Sequence, residues 1–160
     1  MGYQPGDLVF CHSKGFMSRA IRLAERIRFR GGDAYNHVAV LDRYSNEDGW
    51  TVIQAEARGV TNIRLLTEIA VGGSYVVVPC PADREAVVHF AEGEVGRKYG
   101  FLTIASILIT LLLPNFIDVM LPDTWICSAV AGEALRAGGW YHCWPDIYQV
   151  SPAALWEAVK

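Results

Sequence analysis

The chain has 160 residues, of which 52% are hydrophobic and 19% are charged, and its formal net charge is −3. This length and composition predict one folded domain spanning residues 1–160 and exclude a disordered chain. The slightly acidic balance gives no global electrostatic reason to expect binding to nucleic acid.

The hydrophobic pattern predicts antiparallel strands and helices in alternation with polar turns. A polar turn at Tyr44–Gly49 is expected to connect the two strands of a hairpin, and Arg58-Gly59-Val60 is expected to turn the chain after it. The predicted elements are a strand at Leu8–His12, a helix at Phe16–Phe29, a strand at 36–43, its hairpin partner at Trp50–Ala57, an edge segment at Ile63–Leu66, a strand at Tyr75–Val78, a helix at Asp83–Glu94, a strand at Tyr148–Val150 and a final helix that Ser151 caps and Pro152 opens.

Between these groups, the segment Phe101–Ile117 contains no charged residue. A helix that spans a membrane usually needs about 20 apolar residues, and Pro114-Asn115 interrupts this segment. We therefore predict a buried or surface-lying helix that ends near Leu113 and that could contact a lipid or a protein partner.

The next segment, Trp125–Arg136, predicts a helix with Cys127 in its first turn. Asp123 or Thr124 is the expected N-cap, and Gly138 is the expected stop. A cysteine in the first turn lies beside unpaired N–H groups at the positive end of the helix dipole, and both lower the pKa of its thiol. Its backbone N–H is also suited to bind a developing oxyanion.

Such a thiol becomes a nucleophile when a histidine lies within hydrogen-bond reach, and His37 at the start of the second strand is the best candidate. A third group must then orient the imidazole ring. On the hairpin strand, Gln54 and Glu56 alternate with apolar residues, so both lie on one face and either could take that part.

The remaining cysteines lack the paired spacing of a zinc site. We therefore predict no metal and no cofactor. A disulfide framework is not expected at this size and cysteine density. The N-terminus has neither the basic start nor the apolar run of a secretory signal. These observations favour a reducing compartment.

Several short motifs follow one another in an order that is similar to a known family. They are Pro5-Gly6-Asp7-Leu8-Val9, Ser18-Arg19-Ala20-Ile21-Arg22, Tyr35-Asn36-His37-Val38-Ala39-Val40, Val52-Ile53-Gln54-Ala55, Gly59-Val60, Gly96-Arg97-Lys98-Tyr99-Gly100-Phe101 and Ile126-Cys127-Ser128. Over nearly its whole length the chain resembles the circularly permuted NlpC-like cysteine peptidases of the papain-like superfamily, the YiiX and YaeF group. The resemblance implies an α+β domain in which an antiparallel sheet bearing the histidine packs against a helix bearing the nucleophile.

Carried over by position, the resemblance implies that Cys127 is the nucleophile and His37 the base. At the third position the family often has a glutamate before an alanine, whereas this chain has Gln54, and Glu56 could fill the role by a shift of register. A neutral amide stabilises an imidazolium less than a carboxylate does. The residues predicted to line the substrate site are Tyr35, Tyr99 and Ser128.

The implied activity is hydrolysis of an amide bond in a peptidoglycan stem peptide or another small peptide. Two alternatives are open. The related lecithin–retinol acyltransferase group shares the permuted layout, and Phe101–Ile117 with the basic Phe16–Phe29 helix is compatible with a lipid-directed acyl hydrolase or acyltransferase. Gln54 in place of a carboxylate is compatible with an inactive docking module of a larger assembly, such as a phage particle. The expected location is the cytoplasm or such an assembly.

Overall fold

The computed structural model describes residues 2–12, 35–64, 74–100, 124–142 and 150–160. Within these ranges the chain is α+β, with a five-stranded antiparallel sheet, a short two-stranded parallel pair and three helices. The elements are β1 Leu8–Cys11, β2 His37–Ser45, β3 Gly49–Glu56, β4 Gly59–Arg64, β5 Tyr75–Val78, α1 Arg84–Gly93, β6 Lys98–Tyr99, β7 Thr124–Trp125, α2 Cys127–Ala137 and α3 Pro152–Val159.

The large sheet has the strand order β4-β3-β2-β1-β5, so β2 lies at its centre. In β1 and β2, Cys11 is directly opposite His37. In β3 and β4, Gln54 is directly opposite Thr61. Because paired residues point to the same face, each of these pairs brings two side chains together across the sheet.

Apolar side chains alternate between the two faces of the sheet, as the period of a strand requires. On one face Phe10, Val40 and Ile53 join residues of all three helices in the larger buried cluster. On the other face Val9 and Leu41 belong to a second buried cluster. Burying one such side chain completely contributes about 1.5–3 kcal/mol, so the two clusters together fix which face of the sheet carries α2.

Two helices begin with a side-chain cap: the Ser151 cap of α3 was predicted from the sequence, whereas Asp83, predicted as the first helical residue, is instead the N-cap of α1. The Asp83 side chain accepts from the Ala86 N–H at 2.9 Å at the start of α1. The Ser151 hydroxyl accepts from the Ala154 N–H at 3.2 Å at the start of α3, and Pro152 occupies the first turn. In both cases the side chain satisfies an N–H group that has no partner within the helix.

The predicted cap of α2 is wrong. The N-cap is Ile126, which has an extended backbone and makes no side-chain capping bond, so neither Asp123 nor Thr124 caps this helix. The reason is that β7 pairs in parallel with β6, with Trp125 opposite Tyr99. The chain is held extended through this pair, and the helix begins only at Cys127.

The predicted turn at Arg58-Gly59-Val60 is also wrong in its extent. The turn is confined to Ala57 and Arg58, and β4 begins at Gly59, which has a φ of +111°. Backbone hydrogen bonds extend the strand, because the Val60 N–H donates to the Arg97 oxygen at 2.9 Å and the Gly96 N–H donates to the Val60 oxygen at 2.9 Å. Ile63 and Arg64 of the predicted edge segment Ile63–Leu66 are therefore the end of a longer strand, and Leu65 and Leu66 lie outside the described residues.

Three predicted segments fall largely or wholly outside the described residues. They are the helix at Phe16–Phe29, the apolar segment Phe101–Ile117 and the strand at Tyr148–Val150, of which only Val150 is described and lies in no strand. In the part of the chain that the structure covers, no helix has both the length and the apolar character needed to cross a bilayer.

Candidate active site

Cys127 is the first residue of α2, and only 6% of it is exposed. The extended N-cap residue Ile126 leaves the N–H groups of the first turn without a capping side chain. These groups and the helix dipole both favour a negative charge at this point. The local structure therefore places a sulfur atom where a thiolate is stabilised.

His37 links this thiol to the neighbouring strand. Its ring forms a hydrogen bond with the Cys127 side chain, and its Nε2 atom lies 2.7 Å from the Oε1 atom of Gln54. An amide oxygen can only accept a hydrogen bond, so the proton of this bond belongs to Nε2 and Nδ1 is left for the sulfur. The structure thus brings Cys127, His37 and Gln54 into one hydrogen-bonded chain.

The backbone pairing of β2 with β3 ends before it reaches His37 and Gln54. Towards the site, the last paired residues of the two described strands are Val40 and Ile53, although β2 begins at His37 and β3 continues to Glu56. The Val38 N–H hydrogen-bonds the Cys127 sulfur, as does the Ser128 N–H. The sulfur therefore receives backbone donors from both the sheet and its own helix.

The surroundings of Cys127 determine whether its thiol is ionised. Burial raises the pKa of Cys127, but the charge of His37, the hydrogen bond with His37 and the Val38 and Ser128 N–H groups lower it, and the net pKa lies below its ordinary value. Cys127 is therefore expected to be a thiolate at a pH at which an ordinary thiol is protonated.

The pKa of His37 is shifted in the opposite direction. Burial lowers this pKa, but the charge of Cys127, the hydrogen bonds with Cys127 and Gln54 and the charge of Glu56 raise it above its ordinary value. Opposite shifts in two hydrogen-bonded groups favour a thiolate–imidazolium ion pair. In this pair, Glu56 acts through its charge while Gln54 makes the hydrogen bond.

Tyr99 lies close enough to this pair to be affected by it. Burial raises the pKa of Tyr99, and the charges of Cys127 and Glu56 raise it further. Its phenol therefore keeps its proton and has the chemistry of a hydrogen-bond donor. The pairing of Tyr99 with Trp125, two residues before Cys127, positions this ring beside the start of α2.

The other two predicted lining residues are placed differently. The ring of Tyr35 packs against Trp156 at 4.6 Å and Phe10 at 5.9 Å between centroids, and these are aromatic core contacts. Ser128 is completely buried, and among the described residues its hydroxyl has no hydrogen-bond partner. In the structure, Ser128 contributes its backbone N–H to the site rather than a solvent-facing side chain.

Three groups at or beside the candidate site were not predicted from the sequence. The Val38 N–H carries no sequence signal, because every non-proline residue has this group. Cys11 is opposite His37, and burial and the charge of Cys127 raise its pKa to about 12, so it stays a neutral thiol beside the ion pair. Thr61 is opposite Gln54. Only the register of the strands could have revealed these last two.

No family model matches this chain, and no curated protein matches it. What the site can do follows from its side chains. A thiolate can attack an electrophilic carbonyl carbon, an imidazolium can protonate the leaving group, and N–H and O–H donors can stabilise the oxyanion. Within the described ranges, no three His, Cys, Asp or Glu side chains converge on a position that could hold a metal ion.

Proposed function

We propose that this chain is a cysteine hydrolase of the papain-like, permuted NlpC type, which cleaves amide bonds in peptidoglycan stem peptides or similar small peptides. The observation that carries the proposal is the hydrogen-bonded chain Cys127–His37–Gln54, with Cys127 at the start of a helix and Gln54 Oε1 2.7 Å from His37 Nε2. The packing of α2 on the central strands of the antiparallel sheet agrees with the architecture expected for this type.

In the first half of the reaction, the Cys127 thiolate attacks the carbonyl carbon of the scissile amide. The negative charge moves to the carbonyl oxygen, where the Cys127 backbone N–H and the Tyr99 hydroxyl are suited to stabilise it. His37 then gives its Nδ1 proton to the departing nitrogen. The C–N bond breaks, the amine leaves and a thioester remains on Cys127.

In the second half, His37 is neutral and acts as a base. It takes a proton from a water molecule, whose oxygen attacks the thioester carbonyl. The C–S bond breaks, the carboxylic acid is released, and the thiolate and the imidazolium are formed again. Throughout both halves, Gln54 holds the ring by accepting from Nε2.

Gln54 and Glu56 divide a task that one carboxylate performs in many related sites. Gln54 fixes the orientation of the ring, and the charge of Glu56 helps to hold the imidazolium proton. A neutral orienting group lowers the stabilisation of the imidazolium without removing the base. The proposal therefore includes catalysis with an amide at this position.

Hydrolysis of soluble peptidoglycan fragments with intact stem peptides tests the proposal, with products identified by mass spectrometry. The matched variants are Cys127→Ala, His37→Ala and the control Cys80→Ala, which removes a half-buried thiol on another part of the chain. We expect the first two to abolish the products and the control to retain them. Full hydrolysis by Cys127→Ala would contradict the proposal.

The two alternative functions predict other results in parallel assays. Release of fatty acid from phospholipid vesicles, dependent on Cys127, would favour the lipid-directed acyl hydrolase. Alkylation of Cys127 with the pH dependence of an ordinary thiol would favour the docking module, because that result means that the ion pair is not formed.

A further inference from the structure

Gln54 carries an ambiguity that a carboxylate at this position would not have. A carboxylate offers an acceptor oxygen at either end, whereas an amide has an oxygen at one end and an NH2 group at the other. If the NH2 group faced His37, Nε2 would have to accept, and the proton of the neutral ring would lie on Nδ1. The nitrogen facing Cys127 could then take no proton from the thiol. The orientation of the Gln54 amide thus decides whether His37 can serve as the base.

The bond between His37 Nε2 and Gln54 Oε1 fixes one end of this amide, and a second partner must hold the other end. Thr61 is directly opposite Gln54 in the β3–β4 pair, so both side chains leave the same face of the sheet. Opposite residues on an antiparallel pair have Cβ atoms about 4.5–5.5 Å apart, which is within reach of a glutamine amide and a threonine hydroxyl.

The Thr61 hydroxyl is itself unusual. Its oxygen is buried, and within the part of the chain that the structure describes it has no hydrogen-bond partner. A buried hydroxyl without a partner is unfavourable, and a valine of the same shape would avoid the penalty. The Thr61 oxygen therefore weakens the fold, and Thr61 lies directly opposite Gln54, the amide whose orientation matters. These two facts together point to a role for Thr61 in the site.

We propose that Thr61 is a positioning residue, whose Oγ1 accepts a hydrogen bond from Gln54 Nε2 and so keeps Gln54 Oε1 turned towards His37. Because this oxygen has no partner among the described residues, the proposed bond requires a different rotamer of the Thr61 side chain. The inference rests on the proposed function, because the orientation of the amide matters only if His37 serves Cys127. Glu56 is the rival acceptor, since it lies two residues from Gln54 on the same strand and face.

The test measures the rate of iodoacetamide alkylation of Cys127 against pH, by mass spectrometry of the full chain. Thr61→Val removes the acceptor and keeps the shape, and Thr61→Ser keeps the hydroxyl. We expect Thr61→Val to move the alkylation midpoint of Cys127 upwards by about 0.5–1 pH unit, as loss of one hydrogen bond in the network implies. Thr61→Ser should retain the wild-type profile, and Glu56→Gln should leave the effect of Thr61→Val in place.

A double variant separates the orientation of the amide from simple packing. In Gln54→Glu both ends of the side chain are acceptors, so a hydroxyl at position 61 has no orientation to choose. We therefore expect Gln54→Glu/Thr61→Val to have the same alkylation profile as Gln54→Glu alone. Thermal unfolding should show that Thr61→Val and Thr61→Ser are both folded at the temperature of the alkylation assay, so that a changed profile reports the amide and not loss of the fold.

Several results would overturn the inference. A wild-type profile in Thr61→Val, or a shift in Thr61→Ser equal to that in Thr61→Val, would show that the hydroxyl does not act on the site. An undiminished effect of Thr61→Val in the Gln54→Glu background would show that it does not act through the amide. If wild-type Cys127 alkylates like Cys80 and is unaffected by His37→Ala, the proposed function itself fails, which is a different result from the first three.

Discussion

The Nε2 atom of His37 and the Oε1 atom of Gln54 are 2.7 Å apart, although the β2–β3 pairing has already ended at Val40 and Ile53. The two side chains thus connect the strands where the backbones do not. At the level of Val38, β2 is still paired with β1 but no longer with β3. The Val38 N–H can therefore bond to Cys127 instead of to β3. The same local separation of two strands therefore allows both the orientation of the base and the stabilisation of the thiolate.

Replacement of His37 by alanine should remove the activation of the thiol. We expect hydrolysis to fall by about 10²–10⁴-fold, the usual contribution of a positioned acid–base group. The alkylation midpoint of Cys127 should move up, because the charge and the hydrogen bond that lower its pKa are lost. His89→Ala is the matched control, since His89 is exposed on α1. Equal losses in both variants would argue against a special role for His37.

The rate of hydrolysis should depend on pH as a bell-shaped curve. As the pH falls through the lowered pKa of Cys127, the thiolate gains a proton and the rate declines. As the pH rises through the raised pKa of His37, the imidazolium loses the proton needed by the leaving amine, and the rate declines again. Because the shifts are opposite, the active range should include neutral pH. A rate that rises steadily to pH 10 would indicate an unpaired thiol.

Substitutions at Gln54 and at Glu56 should have unequal effects on the pH dependence of hydrolysis. In Gln54→Glu, the carboxylate should raise the pKa of His37 and move the alkaline limb of the curve up by about 1 pH unit. In Glu56→Gln, loss of a nearby charge should move this limb down by a smaller amount, because Glu56 makes no bond to the ring and its charge is the smallest of the influences that raise the pKa. If Glu56→Gln abolishes hydrolysis while Gln54→Ala does not, Glu56 is the orienting residue.

Removal of the Tyr99 hydroxyl should affect hydrolysis but not the thiol. If this group donates to the oxyanion, Tyr99→Phe should lower kcat by about 10²–10³-fold. The alkylation profile of Cys127 should change little, because alkylation creates no oxyanion. Tyr141→Phe, at a position that is 77% exposed, serves as the control. A loss of alkylation as large as the loss of hydrolysis would instead indicate that Tyr99 supports the ion pair.

Gly59→Ala should destabilise the fold. A Cβ atom at Gly59 would clash with the backbone oxygen of Arg97, and the φ of +111° is unfavourable for alanine. We expect the free energy of unfolding to fall by at least about 2 kcal/mol, measured by chemical denaturation. Gly49→Ala is the control, because Gly49 also has a positive φ but its Cβ would have no atom within 4 Å. Equal effects would mean that strain, rather than the contact with Arg97, limits this position.

The sequence was sufficient for the features that depend on local pattern. The strand Tyr75–Val78, the helix that follows Asp83, the Ser151 cap and the start of a helix near Cys127 all follow from periodicity and from residues that satisfy helix N–H groups. The cap of α2 could not be predicted in this way, because the extended backbone of Trp125 comes from pairing with Tyr99, which lies far away in the chain.

The same distinction applies to the candidate site. His37 and Cys127 are side chains with known chemistry, so their residue types and local elements draw attention to them. The choice between Gln54 and Glu56 could not be made, since both lie on one face of β3 and only the three-dimensional position of the ring separates them. The roles of Val38 and Thr61 depend on where a pair of strands stops and on which residues are opposite, and neither is encoded by a local pattern.

The order of the elements along the chain has a consequence for folding kinetics. His37 is on β2 and Cys127 is on α2. Along the chain, β3, β4, β5, α1, β6 and β7 all lie between them. Contacts between residues so distant in sequence form late, because the intervening chain must first lose its conformational entropy. Until then Cys127 is an ordinary thiol. The moment during refolding at which Cys127 begins to be alkylated rapidly at low pH would therefore time the final docking of α2 on the sheet, with the native thiol as the reporter group.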